Sequence, residues 1–441
     1  MELVSFSFVF VFLPVSILLY YLTPLRWRSH CLLALSLVFC GLLSLQALGV
    51  MLALVGLQYA AVRLMHRLGP DHPARRRVCA AAVVLMVGLL VVCAALAQLG
   101  RLALPFGMLI YLLTGLGYVV DYYRGEAELE GPVEFGVMCC FFGKLYAGPL
   151  VEYGEMRLGS DRRDFSLPEV GEGILQFIQG MAKKVLLADQ VSVVYAAMAD
   201  IPGEELPVLG AWLMVFSAAF MTYFRLSAYC DMAMGLGRVF GLSLPRNFAY
   251  PFQSRTVSDF FARFNITVTR YIRRYVYRFL GYDTGGQLSN SMNLLLLSML
   301  AGLWFGIRLN TLVWGMFLGI FMILEVVWGQ KIFERIPPFF LRLYAFAVVL
   351  LSFSLLSANS LSESLNTVLV MTGLAGHSFT GDAAQYMLAS RAVVLVACVM
   401  FATSIYSRIG RWFQEKWPNL AKFFALVFNS FLLLLTLAMM M

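Results

Sequence analysis

The chain has 441 residues, of which 61% are hydrophobic and only 13% are charged, and its mean hydropathy is +0.79. An apolar share this high exceeds that of soluble globular domains, so the composition excludes a soluble enzyme or a soluble binding module. The formal net charge is +8. Because the arginines and lysines lie in short segments between apolar runs, we attribute this charge to the positive-inside bias and to contact with anionic lipid headgroups, and not to nucleic-acid binding.

Apolar runs follow one another along the whole chain, and a spanning helix needs ~20 apolar residues. The candidate runs are Leu3–Leu22, Cys31–Val62, Val78–Leu99, Leu102–Val120, Leu206–Phe224, Met292–Phe305, Thr311–Trp328, Leu343–Leu356, Ala392–Ser407 and Phe423–Met441. We expect Cys31–Val62 to form two helices joined near Gly41–Gly49. The sequence therefore predicts an all-α polytopic membrane protein with about 10–12 transmembrane helices and further re-entrant or interfacial helices.

No soluble domain separates these runs, and we expect a single membrane-embedded domain over residues 1–441. Within it we predict peripheral N-terminal helices over 1–100, a core over 101–330 and C-terminal helices over 331–441. Several runs are broken by proline or glycine, as around Pro149. Because broken segments at membrane depth are tolerated only when they are buried in protein or line a cavity, this pattern favours an internal chamber.

Neither the eight cysteines nor the four histidines have the spacing of a metal site, so we predict no metal. Cys139 and Cys140 are adjacent, and the other six cysteines lie singly in apolar segments, where cysteine acts as a small hydrophobic residue. Two basic segments, Arg63–Arg77 and Arg408–Lys422, indicate the cytoplasmic side of the membrane.

The stretch Arg255–Gly306 is unusual because it places six arginines in an otherwise apolar chain. On a helical wheel over Phe260–Phe279, four of them fall within one arc, beside an apolar face. These four are Arg263, Arg270, Arg274 and Arg278. One interpretation is an interfacial helix with snorkelling arginines. The other is a cationic wall for a phosphate-bearing substrate such as a coenzyme A thioester, because arginine suits phosphate recognition.

Two features of this stretch leave alternatives open. Asn265 lies at the edge of the apolar arc, where a buried amide needs partners. It either ties two helices together or faces a polar chamber. Further on, Ser298, Gly302 and Phe305 share one helix face. Small residues there allow close helix packing or leave room for a tunnel, into which Phe305 would project.

At these residues the chain resembles the membrane-bound O-acyltransferase family, in its bacterial alginate O-acetylation and D-alanyl transfer branch. Two blocks carry most of the likeness. SDFFARFNITVTRYIRRYVY, over 258–277, is similar to the family's DFWRRWHITLSRWLRDYVY, and AGLWFGIRLNTLVWGMFLG, over 301–319, is similar to SGLWHGAGWNFVLWGLYHG. Four further blocks resemble the family in the same order: Leu104–Gly125, Phe141–Met156, Gly180–Asp189 and Tyr223–Ser254.

The resemblance implies a ring of tilted helices around a central tunnel. It implies transfer of an acyl group, most often acetyl, from a cytoplasmic donor to a hydroxyl of an extracytoplasmic polysaccharide or wall polymer. The donor would be acyl-CoA or an acyl-carrier protein, the location the bacterial inner membrane, and the partners polymer-modification proteins. The family's two catalytic positions correspond to Asn265 and Phe305. We assign donor binding to Arg263, Arg270 and Arg274, and tunnel lining to Ser298, Gly302 and Trp304.

Several residues depart from the family blocks. Asn265 stands where the bacterial branch usually has histidine, although other branches use asparagine there. Phe305 replaces the histidine regarded as catalytic across the family. Further departures are Arg225, Ala262, Phe264 and Tyr271.

The change at Phe305 bears directly on the chemistry. Acyl transfer to an alcohol requires removal of the hydroxyl proton, for which a group with a pKa of ~6.5, such as histidine, is best suited. Phenylalanine has no proton site, and His377 is the one histidine downstream. Two hypotheses follow: an O-acyltransferase with altered chemistry, and a non-catalytic member acting as a tunnel or scaffold. A solute transporter is a third possibility, without a repeat in the sequence to support it.

Overall fold

The computed structural model describes residues 2–101, 103–156, 166–280, 287–329 and 333–440. These residues form helices and turns, and their only β feature is an isolated antiparallel bridge between Phe248 and Phe264. The prediction of an all-helical protein is therefore confirmed. The chain divides into two compact units. The first comprises Met1–Met181 with Tyr229–Arg246, and the second comprises Ala182–Ala228 with Asn247–Met441.

Nine α-helices are described up to residue 239. They are α1 (Leu13–Leu22), α2 (Arg28–Leu43), α3 (Leu45–Leu68), α4 (Ala74–Gln98), α5 (Met108–Arg124), α6 (Pro132–Cys140), α7 (Leu167–Ala182), α8 (Asp189–Ala199) and α9 (Val208–Val239). The two helices expected within Cys31–Val62 are α2 and α3. They meet at Ser44, whose side chain caps α3 by accepting a hydrogen bond from the Ala47 N–H.

Ten more α-helices are described in the C-terminal half. They are α10 (Val257–Arg263), α11 (Ile266–Tyr275), α12 (Gln287–Leu303), α13 (Leu309–Leu324), α14 (Pro338–Ser357), α15 (Leu361–Met371), α16 (Asp382–Ser390), α17 (Ala392–Phe401), α18 (Ile405–Lys416) and α19 (Pro418–Met440). A π-helical segment, Glu325–Gly329, continues α13. Another, Lys183–Ala188, joins α7 to α8.

Six helices among the described residues are long and apolar enough to cross a membrane, or seven if the bent pair α16 and α17 is one span. The six are Leu45–Leu68, Ala74–Gln98, Val208–Val239, Leu309–Trp328, Pro338–Ser357 and Pro418–Met440. Other predicted spans correspond to shorter apolar helices, such as Ser7–Leu22 and Asn290–Leu303. Because a helix rises 1.5 Å per residue, these segments are too short to cross a bilayer of ordinary thickness without local thinning of the bilayer.

The first unit is built around a buried aromatic core. α3 packs against α4 and α5, and α2 packs against α3 and α6. Phe8, Phe39 and Phe142 meet at its centre, with ring centroids 5.5–6.1 Å apart. The buried Lys144 donates to Thr114 Oγ1 at 3.3 Å and to the carbonyl of Met138, so its ammonium group satisfies the C-terminal end of α6.

The second unit contains α10, α11 and α12, and the residues predicted to be functional lie on or directly beside these three helices. α12 and α13 form a tightly packed pair, α13 packs against α14, and the short α10 contacts both α13 and α14. Trp314 of α13 and Phe353 of α14 are both fully buried. α11 packs against α12. The candidate site therefore lies among five helices, α10 to α14, each of which packs against at least two of the others or against its neighbour in the chain.

Candidate active site

A short extended segment, residues 247–249, pairs with the link between α10 and α11. The Ala249 N–H donates to the Arg263 carbonyl at 3.0 Å, and the Ile266 N–H donates to the Asn247 carbonyl at 2.9 Å. These two bonds form the isolated bridge between Phe248 and Phe264. They hold the backbone of Asn265 from both sides.

The prediction of one continuous amphipathic helix over Phe260–Phe279 is wrong. α10 ends at Arg263 and α11 begins at Ile266. Between them, Asn265 adopts a left-handed conformation with φ 56° and ψ 50°, which ends one helix and redirects the chain into the next. Asparagine is among the few residues other than glycine that adopt this conformation readily. The side chain of Asn265 is bonded to Asn247, which lies in the extended segment before α10, and a polar chamber next to Asn265 remains a prediction.

The orientation of the Asn265 side chain follows from that of Asn247. Asn247 Oδ1 accepts hydrogen bonds from the Thr267 N–H at 2.9 Å and the Thr267 hydroxyl at 2.8 Å. Its Nδ2 must therefore point the other way, and it donates to Asn265 Oδ1 at 2.9 Å. As a result, the Nδ2 group of Asn265 has no hydrogen-bond partner among the described residues. Asn265 is only 6% exposed, so it offers a nearly buried amide donor.

Phe305 lies two residues after the end of α12, against aromatic side chains. Its ring stacks on Phe264, with centroids 6.2 Å apart, and meets Trp314 edge-on at 5.3 Å. Phe353 contacts both of these partners, at 6.3 and 6.4 Å. Since Phe264 precedes Asn265, the structure brings the two family positions to neighbouring places in one aromatic cluster. No group in these ring contacts of Phe305 can accept a proton.

Two aromatic residues that contact Phe305 lie at positions that are also aromatic in the quoted family blocks. Phe264 stands where the first quoted family block has tryptophan, and Trp314 is identical to the third tryptophan of the second block. Trp314 is fixed by a hydrogen bond from Nε1 to Ser352 Oγ at 3.1 Å. The aromatic surroundings thus resemble those of the family, while the residue between them, Phe305, does not.

The three arginines assigned to donor binding lie on two helices instead of one. Arg263, on α10, pairs with Asp259 at 2.6 Å, and its side chain is 41% exposed. Arg270 and Arg274, on α11, are both half-buried. The Arg274 guanidinium lies 5.7 Å from the ring centre of Tyr275. Binding of an acyl donor by these three residues remains a prediction.

The small-residue face of α12 lies against α13. A Cβ atom added at Gly302 would overlap the Thr311 carbonyl, and one at Gly315 would overlap the Ser298 carbonyl. Ser298 is fully buried, and its hydroxyl donates to the Leu295 carbonyl at 2.8 Å. Ser298 and Gly302 therefore serve close helix packing here. Trp304 is half-buried, and its place in a tunnel wall remains a prediction.

Glu325 contributes to this region, although the sequence analysis did not identify it. Its carboxylate, only 7% exposed, accepts hydrogen bonds from the Val257 N–H at 2.5 Å, the Ser258 N–H at 2.8 Å and the Ser258 hydroxyl at 2.6 Å. It thus caps the N-terminus of α10, where a negative charge is stabilised by the free N–H groups. Its position within the predicted span Thr311–Trp328 could have identified Glu325, because acidic residues in membrane spans are rare and usually functional.

His377, the one histidine downstream of Phe305, lies in a loop that caps α9. Its Nδ1 is 2.9 Å from the Leu206 carbonyl oxygen. The next two residues, Ser378 and Phe379, accept backbone hydrogen bonds from Val208 and Leu209. These contacts give His377 a structural role at the start of α9.

The fold and this site define a multi-pass helical membrane protein with a broken helix at Asn265 and a helix pair that positions Phe305. The family model of the membrane-bound O-acyltransferases matches residues 131–365, which include both positions. The chain therefore belongs to the membrane-bound O-acyltransferase family.

Three bacterial proteins show what this chain is similar to. The chain is 30% identical to a probable alginate O-acetylase of Pseudomonas fluorescens, over 74% of this chain and 67% of that protein. It is 25% identical to a peptidoglycan O-acetyltransferase of Helicobacter pylori, over 69% of this chain and 64% of that protein. It is 23% identical to a teichoic acid D-alanyltransferase of Bacillus subtilis, over 41% and 48% respectively. The chain thus spans about two thirds, or less, of the length of these relatives.

Proposed function

We propose that this protein takes part in O-acylation of an extracytoplasmic polysaccharide or wall polymer, from the inner membrane of a bacterial cell. The names of its relatives support this setting, since alginate, peptidoglycan and teichoic acid are all polymers of the cell envelope or its exterior. The acyl group, most simply acetyl, would come from acyl-CoA or an acyl-carrier protein. The exposed and half-buried arginines near Asn265 suit the phosphates of such a donor.

Within that process, we infer that the chain acts as a tunnel or scaffold and does not itself remove the hydroxyl proton. The observation that carries this inference is the packing of Phe305 between Phe264 and Trp314. Loss of a general base typically lowers the rate ~10²–10⁴-fold, and the described contacts of Phe305 provide no substitute. A partner protein of the same assembly would then supply the catalytic base or carry out the transfer.

A second candidate function is residual acyl transfer by altered chemistry, and the Asn265 amide favours it. Its Nδ2 group has a free N–H donor in a nearly buried position, as required to stabilise the oxyanion formed when a thioester is attacked. The amide cannot accept a proton, so the base would come from a partner subunit or from the acceptor itself. The thioester is already activated, which makes slow transfer chemically feasible.

The test compares four forms of the purified protein in lipid nanodiscs with labelled acetyl-CoA and an acceptor oligosaccharide. They are the wild type, Phe305→His, Phe305→Leu and Asn265→Ala. We expect the wild type to match empty nanodiscs. We expect Phe305→His to raise transfer by up to ~10²-fold, because an imidazole would lie between aromatic walls of the family type.

Phe305→Leu is the matched control, since it removes the same ring without adding a proton acceptor, and it should stay at background. Wild-type transfer clearly above background that Asn265→Ala abolishes would contradict the scaffold role and support the second candidate.

A further inference from the structure

α18 presents two chemically different faces, and none of its residues is buried. At ~100° per residue, its apolar side chains fall within one arc of roughly 120°. These are Ile405, Tyr406, Ile409, Trp412 and Phe413. Arg408 and Arg411 lie outside that arc, both are exposed, and neither has an ion-pair partner among the described residues. Helices of this type lie in the interfacial region of a bilayer.

The helix that follows indicates the depth of α18. α19 is long and apolar enough to cross a membrane, and only 11% of its most apolar stretch is buried inside the protein. Phe413 packs against Phe424 of α19, with ring centroids 5.7 Å apart. Lys422, in the second turn of α19, is exposed. Because a lysine avoids the hydrocarbon, the turn between α18 and α19 lies at the level of the headgroups.

The chemistry of this turn fits an anionic lipid surface. Arg408–Lys422 contains four basic residues and a single acid, Glu415. The ammonium group of Lys416 lies 5.3 Å from the ring centre of Trp412 and 4.8 Å from that of Trp417. Tryptophan is enriched at membrane interfaces, and a lysine beside it keeps its charge near the headgroups. Charge complementarity therefore selects the anionic face of a bilayer as the partner of α18.

α18 also contacts a strained part of the second unit. Ser407, one helical turn before Arg411, has its hydroxyl 2.5 Å from that of Tyr250. Tyr250 has φ 51° and ψ 61°, a left-handed conformation that a bulky residue adopts only where surrounding contacts hold it. The preceding residue, Ala249, donates the backbone hydrogen bond that fixes the segment before Asn265.

We propose that the anionic surface of the bilayer binds α18. Through the Ser407–Tyr250 hydrogen bond, this binding stabilises the conformation of the link between α10 and α11, which contains Asn265. Arg408 and Arg411 provide the lipid contact, and Tyr250 acts as a positioning residue. This inference goes beyond the proposed function and does not depend on turnover. The proposal requires that binding of anionic lipid and ordering of the link between α10 and α11 be energetically coupled.

The experiment measures hydrogen–deuterium exchange of the full chain in nanodiscs of phosphatidylcholine alone or with added phosphatidylglycerol. The reporters are the amides of Ala249 and Ile266, whose hydrogen bonds flank the link between α10 and α11. We expect exchange of both to be about tenfold slower with phosphatidylglycerol, from two arginines near an anionic surface. Equal exchange in the two lipids would overturn the proposal. So would equal slowing by inorganic phosphate added to phosphatidylcholine discs, since that would indicate a site for free anions.

Three variants separate the steps. Arg408→Gln with Arg411→Gln should remove the effect of lipid charge. Arg76→Gln with Arg77→Gln, an exposed pair at the start of α4, removes the same charge elsewhere and should leave the effect intact. Ser407→Ala should abolish the effect at Ala249 and Ile266 while α18 itself is still protected by phosphatidylglycerol. Retention of the effect in Ser407→Ala, or its loss in the Arg76 and Arg77 control, would contradict the proposed coupling.

Discussion

The side-chain amide of Asn247 donates a hydrogen bond to Oδ1 of Asn265 across 2.9 Å, and this contact determines which part of Asn265 remains available. The Oδ1 atom of Asn247 is already occupied by Thr267, so the two amides can be arranged in only one way. The free donor of Asn265 is therefore a consequence of a polar network that spans the link between two helices. Loss of any member leaves a buried polar group without its partner.

Replacement of Asn247 should destabilise the protein. Asn247→Ala removes three side-chain hydrogen bonds at a site that is 3% exposed, and we expect the free energy of unfolding to fall by about 2–4 kcal/mol. Unfolding in mixed detergent micelles measures this change. Asn366→Ala is the matched control, because Asn366 is exposed and its amide makes one long contact of 3.4 Å, and it should have little effect. Equal losses in the two variants would show that the Asn247 network does not stabilise the fold.

Two substitutions at Asn265 separate its backbone from its side chain. Both Asn265→Gly and Asn265→Ala lose the bond to Asn247, but only glycine adopts positive φ without strain. We expect Asn265→Ala to be less stable than Asn265→Gly by about 1–2 kcal/mol. The comparison uses the same unfolding measurement. If the alanine variant were as stable as the glycine variant, the left-handed conformation at φ 56° would not be maintained in the folded protein.

Glu325 should be needed for the order of α10. In Glu325→Gln, the amide nitrogen would face the N–H groups of Val257 and Ser258, so at least one hydrogen bond to a charged acceptor is lost. We expect a loss of about 2–3 kcal/mol of stability and faster hydrogen exchange at the start of α10. The exposed Glu334 provides the control, since Glu334→Gln makes the same chemical change outside the site. Unchanged exchange in α10 would contradict the capping role.

The contact between α12 and α13 should not tolerate a methyl group. Gly302→Ala would place a Cβ atom against the Thr311 carbonyl, and we expect a destabilisation of about 2–3 kcal/mol, measured by unfolding. Gly56→Ala, in α3, is the control because its Cβ would enter open space, and it should be neutral or stabilising by up to ~1 kcal/mol. A stable Gly302→Ala variant would indicate that the two helices stand farther apart, with room between them for a tunnel.

Much of the fold could be predicted from the sequence because apolar length and composition are local properties. They indicated an all-helical membrane protein and the division of Cys31–Val62 into two helices. The ordered family blocks likewise located Asn265 and Phe305. The helical wheel failed over Phe260–Phe279 because the arginine periodicity continues across a break that a single left-handed residue creates. Periodicity records side-chain chemistry and carries no information on one backbone dihedral.

The order of the residues is enough to establish the class of protein, its family and the absence of a proton-accepting side chain at position 305. What surrounds these residues follows from the folding of distant segments onto one another. The bond from Asn247 to Asn265 joins residues 18 apart, and that from Ser258 to Glu325 joins residues 67 apart. The small-residue face of α12 was compatible with a tunnel or with helix packing, and its contact with α13 favoured packing. Such outcomes depend on which helices meet, and only the assembled chain determines those contacts.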